Sequence, residues 1–334
     1  MSFQSDDYTI AKNDLLEKIK LQEINLPLKN SACSSQLFLH PQPTNKVCIF
    51  FHGFTAAPYQ FKPLAEVLFN CGYNVLIPLL PGHGIAGNWN SRNPPPLPTQ
   101  PEPYQDFAHR WLQIAQNFGD QVIIGGLSGG GALAAWLALE YAQEIHKVLL
   151  FSPYLSSSNN ILDLFVQILP FYISWGHRNN SPNFGYQGFR MPGLEVFADL
   201  GQYVLKQAQN RKLPSMFIIS SESDKSIDSK ELVSLFESSL MYQQKSWFFY
   251  FDKFFQVPHT MMTKAEGNRY QDLLITIVKA YIESDVSWRD LLRIGDLILE
   301  GKRFEVAIKE LKLLNRVSPD LAVLLAVINK EVLV

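Results

Sequence analysis

Ile123-Ile124-Gly125-Gly126-Leu127-Ser128-Gly129-Gly130-Gly131 is the stretch that decides how this chain folds. An apolar run of strand type, from Gln121 to Ile124, leads into glycines and a serine. Ala132 to Ala142, with Leu133, Trp136, Leu137 and Leu139, then reads as an apolar helix. Gly126 to Gly130 fill the pattern G-x-S-x-G, in which a serine on a sharp strand-to-helix turn takes a strained conformation and projects its Oγ above a sheet. Side chains at the flanking positions would meet neighbouring backbone, and glycine removes that clash. Glycine-serine strings also occur in ordinary loops, so the buried strand before and the helix after are what make Ser128 a candidate nucleophile.

A serine so placed needs an acid and a base later in the chain. Ser215 to Ser220 is a short apolar strand, and the polar turn Ser221 to Asp228 follows it. A carboxylate just past a strand end is positioned to accept the Nδ1–H of a histidine and fix its tautomer. Of Glu222, Asp224 and Asp228, the last precedes the apolar-periodic run Ser229 to Leu240 and reads as a helix N-cap, and Asp224 is the preferred acid. Lys245 to Asp252 is strongly strand-prone and leads to Phe255-Gln256-Val257-Pro258-His259-Thr260. A lone histidine is more often a hydrogen-bonded structural residue. His259, beyond the last strand and downstream of both serine and acid, is instead the candidate general base. Acyl transfer also needs donors for an oxyanion. Lys46 to Phe51 is an apolar strand that runs into His52-Gly53-Phe54-Thr55, so the backbone N–H groups of Phe54 and Gly129 are the expected donors. His52 then reads as a brace for the turn, while His40, His109, His146 and His177 carry no signal.

The stretch Phe51 to Gly84, with His52-Gly53-Phe54-Thr55-Ala56-Ala57-Pro58, Gly72-Tyr73-Asn74-Val75-Leu76-Ile77-Pro78 and Pro81-Gly82-His83-Gly84, resembles the α/β-hydrolase superfamily. Within it the chain is most similar to bacterial carboxylesterases and monoacylglycerol-lipase-like serine hydrolases. The resemblance covers about residues 36 to 283, and four motifs in order are more specific than one elbow. It implies Ser128, Asp224 and His259 as a triad, Phe54 and Gly129 as oxyanion donors, and a structural role for His83. The residue after the serine is often larger in that family, such as Met or Gln; Gly129 here is expected to widen the acyl side of the pocket.

Composition agrees with an enzyme built on a large core: 334 residues, 47% hydrophobic and 18% charged. A formal net charge of only −2 and the lack of a basic cluster argue against nucleic acid as a partner. Cys33, Cys48 and Cys71 have no metal-ligand spacing, and no metal or cofactor is expected. With no signal-type apolar segment and no 18-residue apolar run, the expected location is cytoplasmic, without a transmembrane segment.

The alternation of strands and helices, with Tyr73 to Pro78, Tyr104 to Phe118 and Lys147 to Ser152 around the elbow, predicts an α/β architecture. This is a mostly parallel sheet with helices on both faces, a helical cap insertion and a C-terminal helical extension. The expected divisions are an N-terminal helical or extended segment at 1–35, a hydrolase domain at 36–283 with the cap at about 154–213, and the extension at 284–334. The proline-dense stretch Asn88 to Pro103 should be a stiff extended connector. Cap residues Leu162, Leu164, Phe165, Ile168, Leu169, Phe171, Tyr172, Ile173 and Trp175 would mostly pack on the core, with a minority facing an acyl chain. In the tail, Leu291, Ile294, Gly295, Ile298, Gly301, Phe304, Ala307, Leu311, Leu314 and Pro319 resemble one tetratricopeptide-like unit, followed by an apolar helix at Leu321 to Val332. A lone unit cannot bury its apolar face, so it should dock on its own domain or on a protein partner. The favoured activity is hydrolysis of a carboxylic ester, including acyl-lipid esters, through an acyl-enzyme. The same machinery serves thioesterases and peptidases, and a hydrolase-like binding protein with little turnover is the competing reading.

Overall fold

Lys46–Phe51 (β2) has the sequence KVCIFF, and all but its first residue are buried, as expected of a strand covered on both faces. Its side chains divide with a period of two: Val47, Ile49 and Phe51 enter one apolar cluster, Cys48 and Phe50 the other. The computed structural model describes residues 5–156, 172–174 and 185–327. In it β2 belongs to a seven-stranded sheet with β1 (Gln36–Phe38), β3 (Asn74–Ile77), β4 (Gln121–Leu127), β5 (Lys147–Phe151), β8 (Ser215–Ser221) and β9 (Trp247–Phe251). The spatial order is β1-β3-β2-β4-β5-β8-β9; every pairing is parallel except that of β1 with β3. From β2 the chain steps outward to β3, then crosses back to β4 on the other side. In open sheets of this kind ligands bind outside the carboxyl ends of the strands at such a reversal, here those of β2 and β4.

Helices α1 (Ser5–Ile24), α3 (Glu102–Ala115), α4 (Gly129–Glu140), α5 (Met191–Ala208) and α6 (Ser229–Tyr242) contribute to the cluster on one face of the sheet. α2 (Lys62–Asn70) and α7 (Gln271–Ile282) contribute to the other. α4 is buried around its whole circumference from Gly129 to Leu139, and its small residues let it lie between the sheet and α5. The N-terminal helix joins the same core: Tyr8 is buried, donates to the carbonyl of His40 at 2.9 Å and meets Phe118 edge-on.

Two features of the fold were not anticipated. β1 is only three residues long and has no periodicity to read. The cap, expected to be helical, also carries an antiparallel hairpin of β6 (Tyr172–Ser174) and β7 (Gly188–Arg190) ahead of α5. Leu162, Leu164, Phe165, Ile168, Leu169, Phe171 and Trp175 lie outside the described residues.

The C-terminal helices α8 (Trp288–Leu299), α9 (Phe304–Glu310) and α10 (Leu321–Val327) dock on their own chain. Leu291, Ile294, Ala307, Leu321 and Leu324 share the apolar cluster of α7 and β9, and Lys279 of α7 pairs with Asp320 at 2.9 Å. Ser287 and Asp290 form a reciprocal capping box at the start of α8. No described helix is long and apolar enough to cross a membrane.

Lys147, the first residue of β5, is buried and donates to the carbonyls of Tyr281, Ile282 and Ser284 at 2.9, 2.9 and 2.8 Å. The Tyr281 carbonyl also accepts the Ser284 N–H at 3.3 Å, while those of Ile282 and Ser284 rely on Lys147, at the end of α7 where the helix dipole favours a cation. Burial lowers the ammonium pKa to about 8. Lys147→Met should therefore cost about 2–4 kcal/mol, because it strands two buried acceptors, the carbonyls of Ile282 and Ser284. Urea unfolding checks this, and a loss below measurement error would contradict it.

Candidate active site

Ser128 lies between β4 and α4 with φ 55° and ψ −118°, in the left-handed half of the map that non-glycine residues rarely visit. Strain of this kind costs on the order of 1–3 kcal/mol and persists only where surrounding structure imposes it. Here the constraint is visible. The Ser128 N–H donates to the carbonyl of Phe151 at 3.0 Å, and its carbonyl accepts from Ala132 and Tyr154, both at 3.0 Å. A Cβ on Gly126 would sit 2.1 Å from the carbonyl oxygen of Gly130, and one on Gly130 would sit 2.2 Å from that of Phe51. The two glycines thus allow the strand, the turn and β2 to cross at backbone contact. Gly129 behaves differently from the expectation that it widens the pocket: the space a Cβ would take is filled by the ring of Phe197 from α5, at 3.0–3.2 Å.

The turn after β8 brings a carboxylate to His259. Asp224 Oδ2 meets His259 Nδ1 at 2.7 Å, while Oδ1 accepts the N–H of Ser226 at 2.8 Å. The Asp224 side chain is wholly buried and that of His259 is 23% exposed. Burial alone would raise the Asp224 pKa; the hydrogen bond and charge of His259, with help from Ser226 and Ser152, outweigh it and hold the carboxyl below its usual range. With Nδ1–H given to Asp224, Nε2 is the acceptor of the neutral ring. The other two acids do different work. Asp228 caps α6 through the Lys230 N–H at 2.8 Å, and Glu222 accepts the N–H of Lys253 at 2.9 Å. No hydrogen bond joins His259 to Ser128 among the described residues; such contacts commonly tighten only with substrate bound.

The turn after β2 is held by its carbonyls. The carbonyl of Gly53 accepts from His52 Nδ1 at 3.0 Å and from Ala56 N–H at 3.0 Å. Because the peptide is planar and trans, pinning that oxygen aims the N–H of Phe54 the opposite way. Phe54 and Gly129 are both buried, and neither N–H has a hydrogen-bond partner among the described residues. Orphaned buried N–H groups are rare, and Gly129 opens α4, where a helix N-terminus favours negative charge.

His52 and His83 brace this turn reciprocally. Leu80 N–H donates to His52 Nε2 at 3.1 Å, and Thr55 N–H donates to His83 Nε2 at 3.1 Å. Each ring is thereby neutral with its proton on Nδ1, given to Gly53 and Pro81 respectively. Burial holds His52 well below the ordinary histidine range, with His83 adding to the effect, and burial lowers His83 to about 4. Tyr186, which sequence reasoning missed, ties the returning cap to both loops. Its N–H donates to Thr55 at 2.8 Å, its hydroxyl donates to the carbonyl of Gly82 at 2.7 Å, and that hydroxyl accepts from Ile85. Gln60 and Glu266 were missed as well; no local pattern signals a pairing across 206 residues.

His83 carries a depressed folded pKa, so the unfolded chain binds its proton first as pH falls. Stability should drop from about pH 6.5 toward 4 and the His83 contribution should level off below that. The urea midpoint of His83→Gln should fall less than that of the wild type between pH 7 and 4.5. An equal fall in both proteins would remove His83 from this account.

The alpha/beta hydrolase family matches residues 48–293. Over 101 residues the chain is 30% identical to a thermostable monoacylglycerol lipase of Bacillus sp. (strain H-257), an alignment covering 27% of this chain and 34% of that one. The chain thus aligns with about a third of that lipase's length. A structure of the metagenome-derived lipolytic enzymes LipS and LipT superimposes with a TM-score of 0.61 at 16% identity, covering 75% of this chain and 98% of the other. The monoacylglycerol lipase of Paleococcus ferrophilus gives 0.56 at 17%, covering 73% and 95%. At such identities the likeness carries the fold alone. The elbow, the switched parallel sheet and a match across well over half of its length agree: this chain belongs to the alpha/beta hydrolase family.

Proposed function

We propose that the chain is a serine hydrolase that cleaves carboxylic esters through an acyl-enzyme. The observation that carries this reading is the wholly buried Asp224 carboxylate on Nδ1 of His259, downstream of a serine held in a strained elbow. In the first half-reaction Ser128 Oγ attacks the ester carbonyl while His259 Nε2 takes its proton. Charge moves to the carbonyl oxygen, where the N–H groups of Phe54 and Gly129 stabilise it. Collapse breaks the bond to the alkoxy oxygen, and His259 returns the proton to the departing alcohol. Water then repeats the sequence on the acyl-Ser128 ester, releasing the acid and restoring the serine. Asp224 orients the ring and stabilises the imidazolium in both halves.

A monoacylglycerol-type ester is the substrate class, carried over from the lipases above. The aromatic surroundings of the oxyanion turn support an apolar acyl group, since Phe54 packs on Phe189 and Phe197 with ring centroids 5.0 and 5.5 Å apart. With p-nitrophenyl esters, rates should rise from acetate to butanoate and hexanoate; a monotonic fall beyond acetate would sink the acyl-chain assignment. Ser128→Ala should lower kcat by about 10⁵-fold or more, and Asp224→Asn by about 10⁴-fold. Retention of ester turnover by Ser128→Ala would contradict the mechanism outright.

A further inference from the structure

Glu266 is a buried carboxylate that none of the steps above uses. Its Oε1 accepts from Gln60 Nε2 at 2.7 Å and from the hydroxyl of Tyr59 at 2.8 Å, and its Oε2 accepts from Thr263 Oγ1 at 3.0 Å. Three donors around one buried charge are what such a group needs to persist. Two consequences follow from what these donors are attached to.

The first concerns the oxyanion turn. A side-chain amide can present either end to a neighbour, and an ionised carboxylate accepts only. Glu266 therefore draws the NH₂ end of Gln60, which turns Gln60 Oε1 toward Gly53, whose N–H donates to it at 2.9 Å. Gly53 is buried, and its N–H needs that acceptor. Gly53 is also the residue whose carbonyl aims the Phe54 N–H.

The second concerns the histidine. The loop that follows His259 is wound on Glu266: the Glu266 N–H donates to the Thr263 carbonyl and hydroxyl at 3.2 and 3.1 Å, and Thr260 Oγ1 donates to the Glu266 carbonyl at 3.4 Å. Asn268 closes the same loop by donating to the carbonyl of Met261 at 2.6 Å. Glu266 thus holds the loop that carries the base, through its backbone and the Thr263 hydroxyl on Oε2, and its Oε1 reaches through one amide to the turn that carries an oxyanion donor.

We propose that Glu266 and Gln60 form a strut that sets the spacing between His259 and the Phe54 N–H, which makes both of them positioning residues for the hydrolysis. The catalytic part of this inference rests on the function proposed above, whereas the mechanical part, that the pair holds the turn, does not. Misplacement by about 1 Å costs roughly 10²-fold in rate when the groups concerned act in the transition state.

The polarity of the pair supplies its own test. Gln60→Glu sets two acceptors against each other across the strut. Adding Glu266→Gln restores one donor and one acceptor with the order reversed: the amide introduced at position 266 donates to the carboxylate introduced at position 60, which still accepts the Gly53 N–H. Expected results are a fall in kcat of roughly 10²-fold for Gln60→Glu with KM little changed, and recovery of most of it in the double exchange. A double variant as slow as Gln60→Glu, or slower, would overturn the proposal. Hydrogen exchange of peptides covering residues 51–56 gives a readout that needs no turnover: exchange should quicken in Gln60→Glu and return toward wild type in the exchange pair. If the wild type hydrolyses no ester, the proposed function fails while the exchange arm still decides the strut. Gln60→Ala serves where Gln60→Glu does not fold; unchanged exchange at the turn in that variant would likewise overturn the proposal.

Discussion

Everything at this site depends on one close backbone crossing. Gly126 at the end of β4 pairs in register with Phe51 of β2, and Gly130 in the first turn of α4 comes back against the carbonyl of Phe51. No residue with a Cβ fits at either glycine without displacing backbone, so the chain can turn from strand to helix only within this narrow space. The cost appears at Ser128, whose positive φ is the strained link between two well-packed elements. The same crossing places the positive end of α4 beside the turn after β2. Serine and helix N-terminus are thus brought beside the turn after β2 by packing, before any side chain of the site makes a contact.

Around that fixed point the structure adds braces that run between loops and leave the strands out. His52 and His83 each reach across to the backbone of the other's loop, and their neutrality follows from accepting an N–H while buried. Tyr186 extends the same set of loops to the returning cap, and Glu266 with Gln60 extends it to the loop of His259. Polar groups in a low-dielectric interior hold position well only when all are satisfied. Among the described residues the N–H groups of Phe54 and Gly129, and the hydroxyl of Tyr104 beside His83, have no hydrogen-bond partner. Unpartnered N–H groups beside bonded braces are what the proposed oxyanion site requires.

What could be read from the chain, and what could not, follows from the range of each interaction. The elbow was legible because its glycines answer a local steric need, and Asp228 could be read as a cap because helix-capping chemistry is local and a sequence displays it. The strands at the centre were legible from apolar runs buried on both faces, such as β2 and β5. The braces were not. His52 to Leu80 and His83 to Thr55 each span 28 residues, and Gln60 to Glu266 spans 206, distances at which no periodicity operates. Gly129 was misread for a related reason: its missing side chain is compensated by Phe197 from a helix far along the chain, and a sequence displays the gap without its filler. Likewise the tail's apolar face was evident, while its docking on α7 depended on tertiary packing.

Ser128, held in its strained turn, is proposed to be an activated nucleophile. The most direct test is covalent labelling of the native protein with a fluorophosphonate, read by intact mass and peptide mapping, beside Ser128→Ala. One adduct is expected, on Ser128, absent from the variant and formed much more slowly when Asp224 is replaced by Asn. An unlabelled wild type that is folded, or an adduct that survives in Ser128→Ala, would contradict it.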